Sequence, residues 1–292
     1  MDTAFAIIKL APFGADAWKC WMVIGLVFVN WGLEARKWQL LLRVIEPIPF
    51  GRAFKSILCG VTFSLNLPNR MGEYAGRVLF VQEGNRLKSI SLSIAGGITQ
   101  LIVTMLMGCL GIAYLFFSGH EAWQAIGLSE VWLKVFLFGS IFATVVLFFF
   151  LFRLRWMTGL LGKLPYAHRF IGYINVLEQL DAKLLLRLLL LSLLRYMVFV
   201  LQYIFMLQIM QVDQEYWQSF WLVSVMFWVL AIIPSIAIAE LGIRGTVAKT
   251  IFAFSKNLVG ILAVTFSIWF INLFIPALIG SLLILSFKIK KK

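Results

Sequence analysis

An all-α bundle of membrane-spanning helices is the fold this sequence predicts, and three observations carry that expectation. Apolar residues fill 62% of the 292 positions and charged residues only 13%, against about 25% charged in a typical soluble domain. Apolar runs recur from end to end, several near the roughly 20 residues that cross a bilayer as a helix. The basic residues, which bring the net charge to +13, cluster between those runs. Mean hydropathy is +0.94. A soluble fold of this length has too little interior to hide so much apolar surface.

Taken in order, the apolar segments fall at about 18–33, 54–67, 89–117, 133–152, 184–210, 219–239 and 257–287. The N-terminal stretch lacks a basic region, apolar run and small-residue cleavage site in succession, so 18–33 is expected to be a retained span. Four basic stretches separate the segments: 34–55, 70–88, 153–187 and the lysine tail that ends at Lys292. The loops at 118–134 and 211–218 are acidic or neutral by contrast, with Glu121, Glu130, Asp213 and Glu215. The positive-inside rule puts the basic stretches and the C-terminus in the cytoplasm and these two loops outside.

That assignment constrains two segments. Residues 34–55 and 70–88 share a side, yet 54–67 lies between them and is short for a span. Asn66-Leu67-Pro68-Asn69-Arg70 then breaks the helix, because proline disfavours helical backbone in the residue before it. A re-entrant helix entering from the cytoplasm satisfies both facts. The same parity makes 219–254 enter and leave on the outer face, with a break from Ile233-Pro234-Ser235 to Glu240-Leu241-Gly242. The alternative is two ordinary spans, with 257–287 split near Pro276. The expected architecture is one transmembrane domain, 1–292, with halves at about 15–118 and 185–287 in an inverted pseudo-repeat. A span and an amphipathic cytoplasmic element at 153–183 join them.

The two breaks share a pattern. Each runs from proline (Pro68, Pro234) through a spacer to glutamate, with arginine four residues later: Glu73 and Arg77, then Glu240 and Arg244. An i,i+4 pair in this order meets on one helical face. Charges among apolar segments face a partner or a water-filled cavity, and broken helices in matching positions of two halves point to a transporter's central site. The candidate substrate-binding residues are therefore Arg70, Glu73, Arg77, Arg195, Glu240 and Arg244, with Asn66, Asn69, Gln100 and Gln202 as polar support. A plainer reading has each Glu–Arg pair neutralise itself and pin a helix end. Arg195 is open between a lipid phosphate, a pairing with Glu73 or Glu240, and snorkelling to the interface. Gln100, Thr99 and Asn272 suit interhelical hydrogen bonds as well as a ligand.

Other chemistry is thinly represented. Cys20, Cys59 and Cys109 sit in apolar surroundings without CxxC spacing and read as small fillers. His120 and His168 are too few and too far apart for a metal cluster, so no metal or other cofactor is expected. There is no Walker A loop, HExxH, nucleophile elbow or DxxD cluster, and the chain is expected not to be an enzyme. Nucleic acid is not the expected partner of its basic residues, because anionic lipid and topology account for them. Of the eleven tryptophans, Trp18, Trp21, Trp123, Trp132, Trp156 and Trp217 lie near span ends, where aromatic belts form.

At the two motifs the chain resembles the lysylphosphatidylglycerol synthase transmembrane family over about residues 15–287. The block Asn66-Leu67-Pro68, Arg70-Met71-Gly72-Glu73 and Arg77 matches that family's Pro-x-Arg-x-Gly-Glu pattern. In the second block, Pro234 to Arg244, Ile236 to Ala239 replace the family's glycine-rich run. Gly245 stands where glutamate is common, and Glu240 is expected to supply that carboxylate. The resemblance implies handling of membrane phospholipids in the cytoplasmic membrane of a bacterium or archaeon. In the multiple peptide resistance factor, a domain of this kind flips an aminoacylated phospholipid made by a fused synthase. Here the sequence ends just past the last span, so aminoacylation is not expected and lipid translocation is. The alternatives are a scaffold for a separate lipid- or glycan-modifying enzyme, and a membrane-embedded transferase.

Overall fold

The computed structural model describes residues 11–14, 16–65, 71–118, 129–153, 173, 175–212, 214–234, 237–253, 255 and 257–290. These residues are helical throughout their regular structure, with no strand among them. In chain order the helices are α1 (Ala17–Leu42), α2 (Phe50–Ser64), α3 (Gly72–Val78), α4 (Arg86–Phe117), α5 (Glu130–Phe152), α6 (Ala182–Ile209), α7 (Tyr216–Ile232) and α8 (Ala237–Ile251). The chain finishes with α9 (Leu258–Trp269) and α10 (Ile275–Lys290), joined through a π-turn at Phe270–Phe274.

Four helical stretches among the described residues are long and apolar enough to cross a bilayer: Glu83–Phe117, Glu130–Phe152, Ala182–Ile209 and Leu258–Ser286. This is a multi-pass membrane protein. α5 makes the point most directly, since only 11% of its most apolar window is buried within the protein. Its exposed face carries Val131, Trp132, Val135, Phe138, Phe142 and Phe149, a surface that hydrocarbon solvates and water does not. Trp18, Trp21, Trp132 and Trp217 are more than half exposed near helix ends, as an aromatic belt requires. Trp123 and Trp156 lie outside the described residues.

The helix ends follow from sequence. Pro47 and Pro49 keep α1 and α2 apart, and Pro49 leads α2 from an extended backbone at φ −67°, ψ 151°. Ile233 is extended at φ −82°, ψ 111°, because Pro234 follows it; α7 stops there and α8 resumes at Ala237. Asp181 caps α6 by accepting the Leu184 N–H at 2.8 Å. Past its other end Gln211 takes a left-handed φ of 53°, and the Val212 N–H reaches back to the Leu207 carbonyl at 2.9 Å, a glycine-free version of a common helix stop. The split near Pro276 that the alternative topology required does not occur, and Leu258–Ser286 is one helical stretch. Pro276 has no N–H to offer the Asn272 carbonyl, and the chain absorbs that loss in a π-turn whose Ile275 N–H returns to Phe270.

One expected boundary is wrong. The sequence reading ended the first apolar segment at Leu33 and gave Glu34, Arg36 and Lys37 to a cytoplasmic loop, but α1 continues to Leu42. Glu34 and Lys37 are buried at 5% and 3% side-chain exposure. A charge interrupts an apolar run on paper without ending the helix, provided that partners on other helices receive it.

The chain divides into two compact units, each drawn from three stretches. The first (Met1–Asn30, Thr104–Ala143, Tyr196–Ile275) packs aromatic rings against glycines. Gly108 of α4 lies against the Trp228 ring and Gly111 against Val225 and the Trp221 carbonyl. Phe227 takes edge contacts from Tyr196, Phe199 and Tyr203 at 5.8, 6.2 and 5.3 Å. The second unit (Trp31–Val103, Thr144–Arg195, Pro276–Lys292) is built on an α2–α3 hairpin whose glycines approach backbone on backbone. A Cβ on Gly76 would strike the Cys59 and Gly60 backbone, and one on Gly72 would strike Phe63 and Ser64. These contacts run in opposite directions along the two helices, as an antiparallel hairpin demands. Gly280 of α10 sits equally close to the Leu58 carbonyl and Thr62, and Thr62 Oγ1 donates to the Ala277 carbonyl at 2.8 Å.

Candidate functional site

The second unit holds a buried cluster of charges drawn from α1, α3 and α6. Glu34 is its centre. One carboxylate oxygen, Oε1, accepts Arg77 Nη2 at 2.8 Å. The other, Oε2, accepts Arg195 Nη1 at 3.0 Å and Lys37 Nζ at 3.0 Å. Arg77 Nη2 also donates to Glu73 Oε2 at 3.0 Å. Three cations thus meet two carboxylates, and the cluster carries one net positive charge.

Each position has a reason in the chain. Glu34 and Lys37 are i,i+3 on α1, and Glu73 and Arg77 are i,i+4 on α3, spacings that place both members of a pair on one face. The glycine contacts of the hairpin fix α3, and with it Arg77, against α2. Rings hold the guanidiniums from behind, with Arg77 over Trp38 and Arg195 over Trp31, both at 5.4 Å. Such cation–π contacts gain strength once water is excluded. Lys37 Nζ also donates to Ser192 Oγ at 3.4 Å. Ser192 exchanges a hydrogen bond with Thr99 at 2.9 Å, and its carbonyl accepts from Gln100 Nε2 at 3.5 Å. Exposure grades from Glu73 at 20% to Arg195 at 10% and Arg77 and Glu34 at 5%, so the cluster has a rim and a floor.

The first unit holds the second motif. Arg244 Nε donates to Glu240 Oε1 at 2.9 Å and Nη2 converges on the same oxygen, while the guanidinium also faces the buried Tyr203. Gln202 is engaged with neighbouring helices. Its amide donates to the Val23 carbonyl at 3.0 Å, and its oxygen accepts from Asn272 at 3.1 Å. Asn30 completes the set with a bond to Asn272 at 3.1 Å.

Among the sequence-predicted residues, the structure brings Glu73, Arg77 and Arg195 into one cluster, with Gln100 bordering it through Ser192. It pairs Glu240 with Arg244, and it sets Gln202 in a separate amide network. Asn66, Asn69 and Arg70 lie outside the described residues, as does most of 153–183. For Arg195 the sequence reading offered Glu73 or Glu240 as the acid; the geometry gives it Glu34. Sequence reasoning missed Glu34, Lys37 and Ser192. A usable signal existed, in that Glu34 and Lys37 continue the 3.6-residue period of the apolar run at an i,i+3 spacing. The three cysteines are free, with Cys59 and Cys109 buried. No group of three His, Cys, Asp or Glu among the described residues is placed to hold a metal.

The family model for the lysylphosphatidylglycerol synthase TM region matches residues 11–280, nearly the whole chain. The chain belongs to that family. Its membership makes this a membrane domain linked to lipid handling, and the match over 11–280 agrees with the family resemblance noted in the sequence. No curated protein matches the chain.

Proposed function

We propose that this member of the family moves a phospholipid, or another lipid with an ionic headgroup, across the cytoplasmic membrane. The observation that carries the proposal is the cation-rich cluster of Glu34, Lys37, Arg77 and Arg195, buried among apolar helices with Glu73 at its rim. Burying charge in such surroundings is costly unless partners or a ligand receive it. Among these five described side chains, cations outnumber carboxylates three to two. Arginine presents a planar fork of donors that matches phosphate, and a headgroup passing such a cluster exchanges its water for these donors while its acyl chains stay in lipid.

In this reading the breaks at Pro68 and Pro234 are re-entrant, inverted relative to one another, and Glu240 with Arg244 is the counterpart pair. The basic stretches and the C-terminus face the cytoplasm. The chain works as a translocator and not as an enzyme, with membrane phospholipid as its partner.

The test is reconstitution in liposomes with labelled anionic and zwitterionic phospholipids. Wild type should scramble label above empty liposomes. Glu73→Gln and Arg77→Ala, each checked for folding, should slow scrambling about tenfold or more, the loss of roughly one charge-assisted contact. No movement of any headgroup class by folded wild type would refute translocation and favour a scaffold for a separate lipid- or glycan-modifying enzyme.

A further inference from the structure

Glu34 occupies the place where the cations of the second unit converge, and it does so in an unusual way. Its two oxygens are divided, Oε1 to Arg77 and Oε2 to Arg195 and Lys37. Two oxygens of one anion, each received by a guanidinium from a different helix, is also the pattern in which arginines hold the two non-bridging oxygens of a phosphate ester. Donor capacity is left over as well. Arg77 Nε is buried with no acceptor among the described residues, although a buried guanidinium N–H normally has one.

We propose that Glu34 is an internal stand-in for phosphate. Arg77 and Arg195, with Lys37 beside them, form an anion site that the chain plugs with its own carboxylate. The group that displaces the plug is a phosphate monoester or phosphodiester. For the source of that phosphate, a lipid headgroup, the inference rests on the lipid-handling reading above; for its chemistry it does not.

The exchange is favourable on three counts. A phosphodiester brings one negative charge, which offsets the single excess cation of the five side chains while Glu34 stays among them. Glu34 does not become an orphan when displaced, since Lys37 stays three residues away on the same helix. The arriving phosphate offers more acceptor positions than the carboxylate and can satisfy Arg77 Nε as well. Entry is from the rim at Glu73, the most exposed of the five side chains. A plug of this kind also gives the resting protein a seal, because an unplugged pair of buried arginines would draw in any small anion.

Thermal unfolding of the purified full-length chain in a neutral detergent tests the proposal. The probes are inorganic phosphate and dioctanoyl phosphatidylglycerol, against sodium chloride at matched ionic strength and dioctanoylglycerol. Glu34→Gln removes the competing charge and keeps the shape. It is expected to be stabilised by phosphate-bearing probes at concentrations about tenfold lower than wild type. Adding Arg77→Ala to that variant should abolish the gain. Glu34→Asp, with its carboxylate drawn back by one methylene, should fall between the two, and it alone decides if Glu34→Gln cannot be recovered folded. Gains with both phosphate and the short-chain lipid assign the site to phosphate in general; a gain with the lipid alone assigns it to the headgroup. Either supports the plug. Variants stabilised no more than wild type by either probe would overturn it, as would an equal response to chloride. Scrambling is a separate readout: a phosphate gain without scrambling removes translocation and keeps the site, and scrambling without a phosphate gain does the reverse.

Discussion

Arg77 is the residue on which most of the site's geometry depends. A single nitrogen, Nη2, serves both Glu34 and Glu73, and the guanidinium lies over Trp38. Charge alone does not reproduce this. Lysine offers no planar fork and stacks less well, so Arg77→Lys should lower stability by roughly 1–2 kcal/mol. Arg77→Ala, which leaves two carboxylates short of a buried partner, should cost roughly 3–5 kcal/mol. Denaturation of the two variants in the same detergent orders them, and equal stability would mean that the fork and the ring are irrelevant. The Glu73–Arg77 pair could be read from the chain because helical spacing alone brings it together. Glu34 with Arg195 could not, since 161 positions separate them and no local rule connects residues so far apart.

At the scale of elements, α2 and α3 form the sharpest case. Their contact is backbone on backbone at Gly60, Gly72 and Gly76, a mode of approach that small residues permit between membrane helices. Gly76→Ala should therefore destabilise by roughly 2–3 kcal/mol, the cost of overpacking against atoms that cannot rotate away. Gly32 on α1 has nothing within reach of an added Cβ, and Gly32→Ala should be neutral or stabilise by about 0.5–1 kcal/mol through its greater helix propensity. Melting curves of the two variants should diverge in sign; a shared sign would show that glycine content, and not the contact, sets the outcome. Most helix limits were legible, because an apolar run and a proline each act locally. The break at Ile233–Pro234 is one such limit. α1 was not, since its last turns are held by charges whose partners lie elsewhere in the sequence.

For the molecule as a whole, composition was enough to place it in a membrane. Lipid leaves an unmistakable excess of apolar residues, and the bare face of α5 bears it out. The division into two compact units was beyond the sequence, because its boundaries at Asn30, Val103 and Arg195 fall inside continuous helices. Orientation is open to a direct check. In a background without the native cysteines, Arg43→Cys should react with a membrane-impermeant maleimide only after the cytoplasmic side is opened. Glu215→Cys should react in intact cells. Labelling of both from one side would reverse or dismantle the proposed topology.

The glycine hairpin also has a genetic consequence. A defect in an ordinary core is often relieved by a second change, in which a facing side chain shrinks to admit a larger one. The atoms nearest a Cβ on Gly76 are main-chain atoms of Cys59 and Gly60, which no codon can make smaller. Selection for restored function from a Gly76 substitution should return glycine itself, or changes remote from α2, and no compensating replacement at the facing positions. The turn of chain that presents Arg77 is in this sense closed to piecemeal adjustment, and homologues that keep the contact should vary around these glycines but not at them.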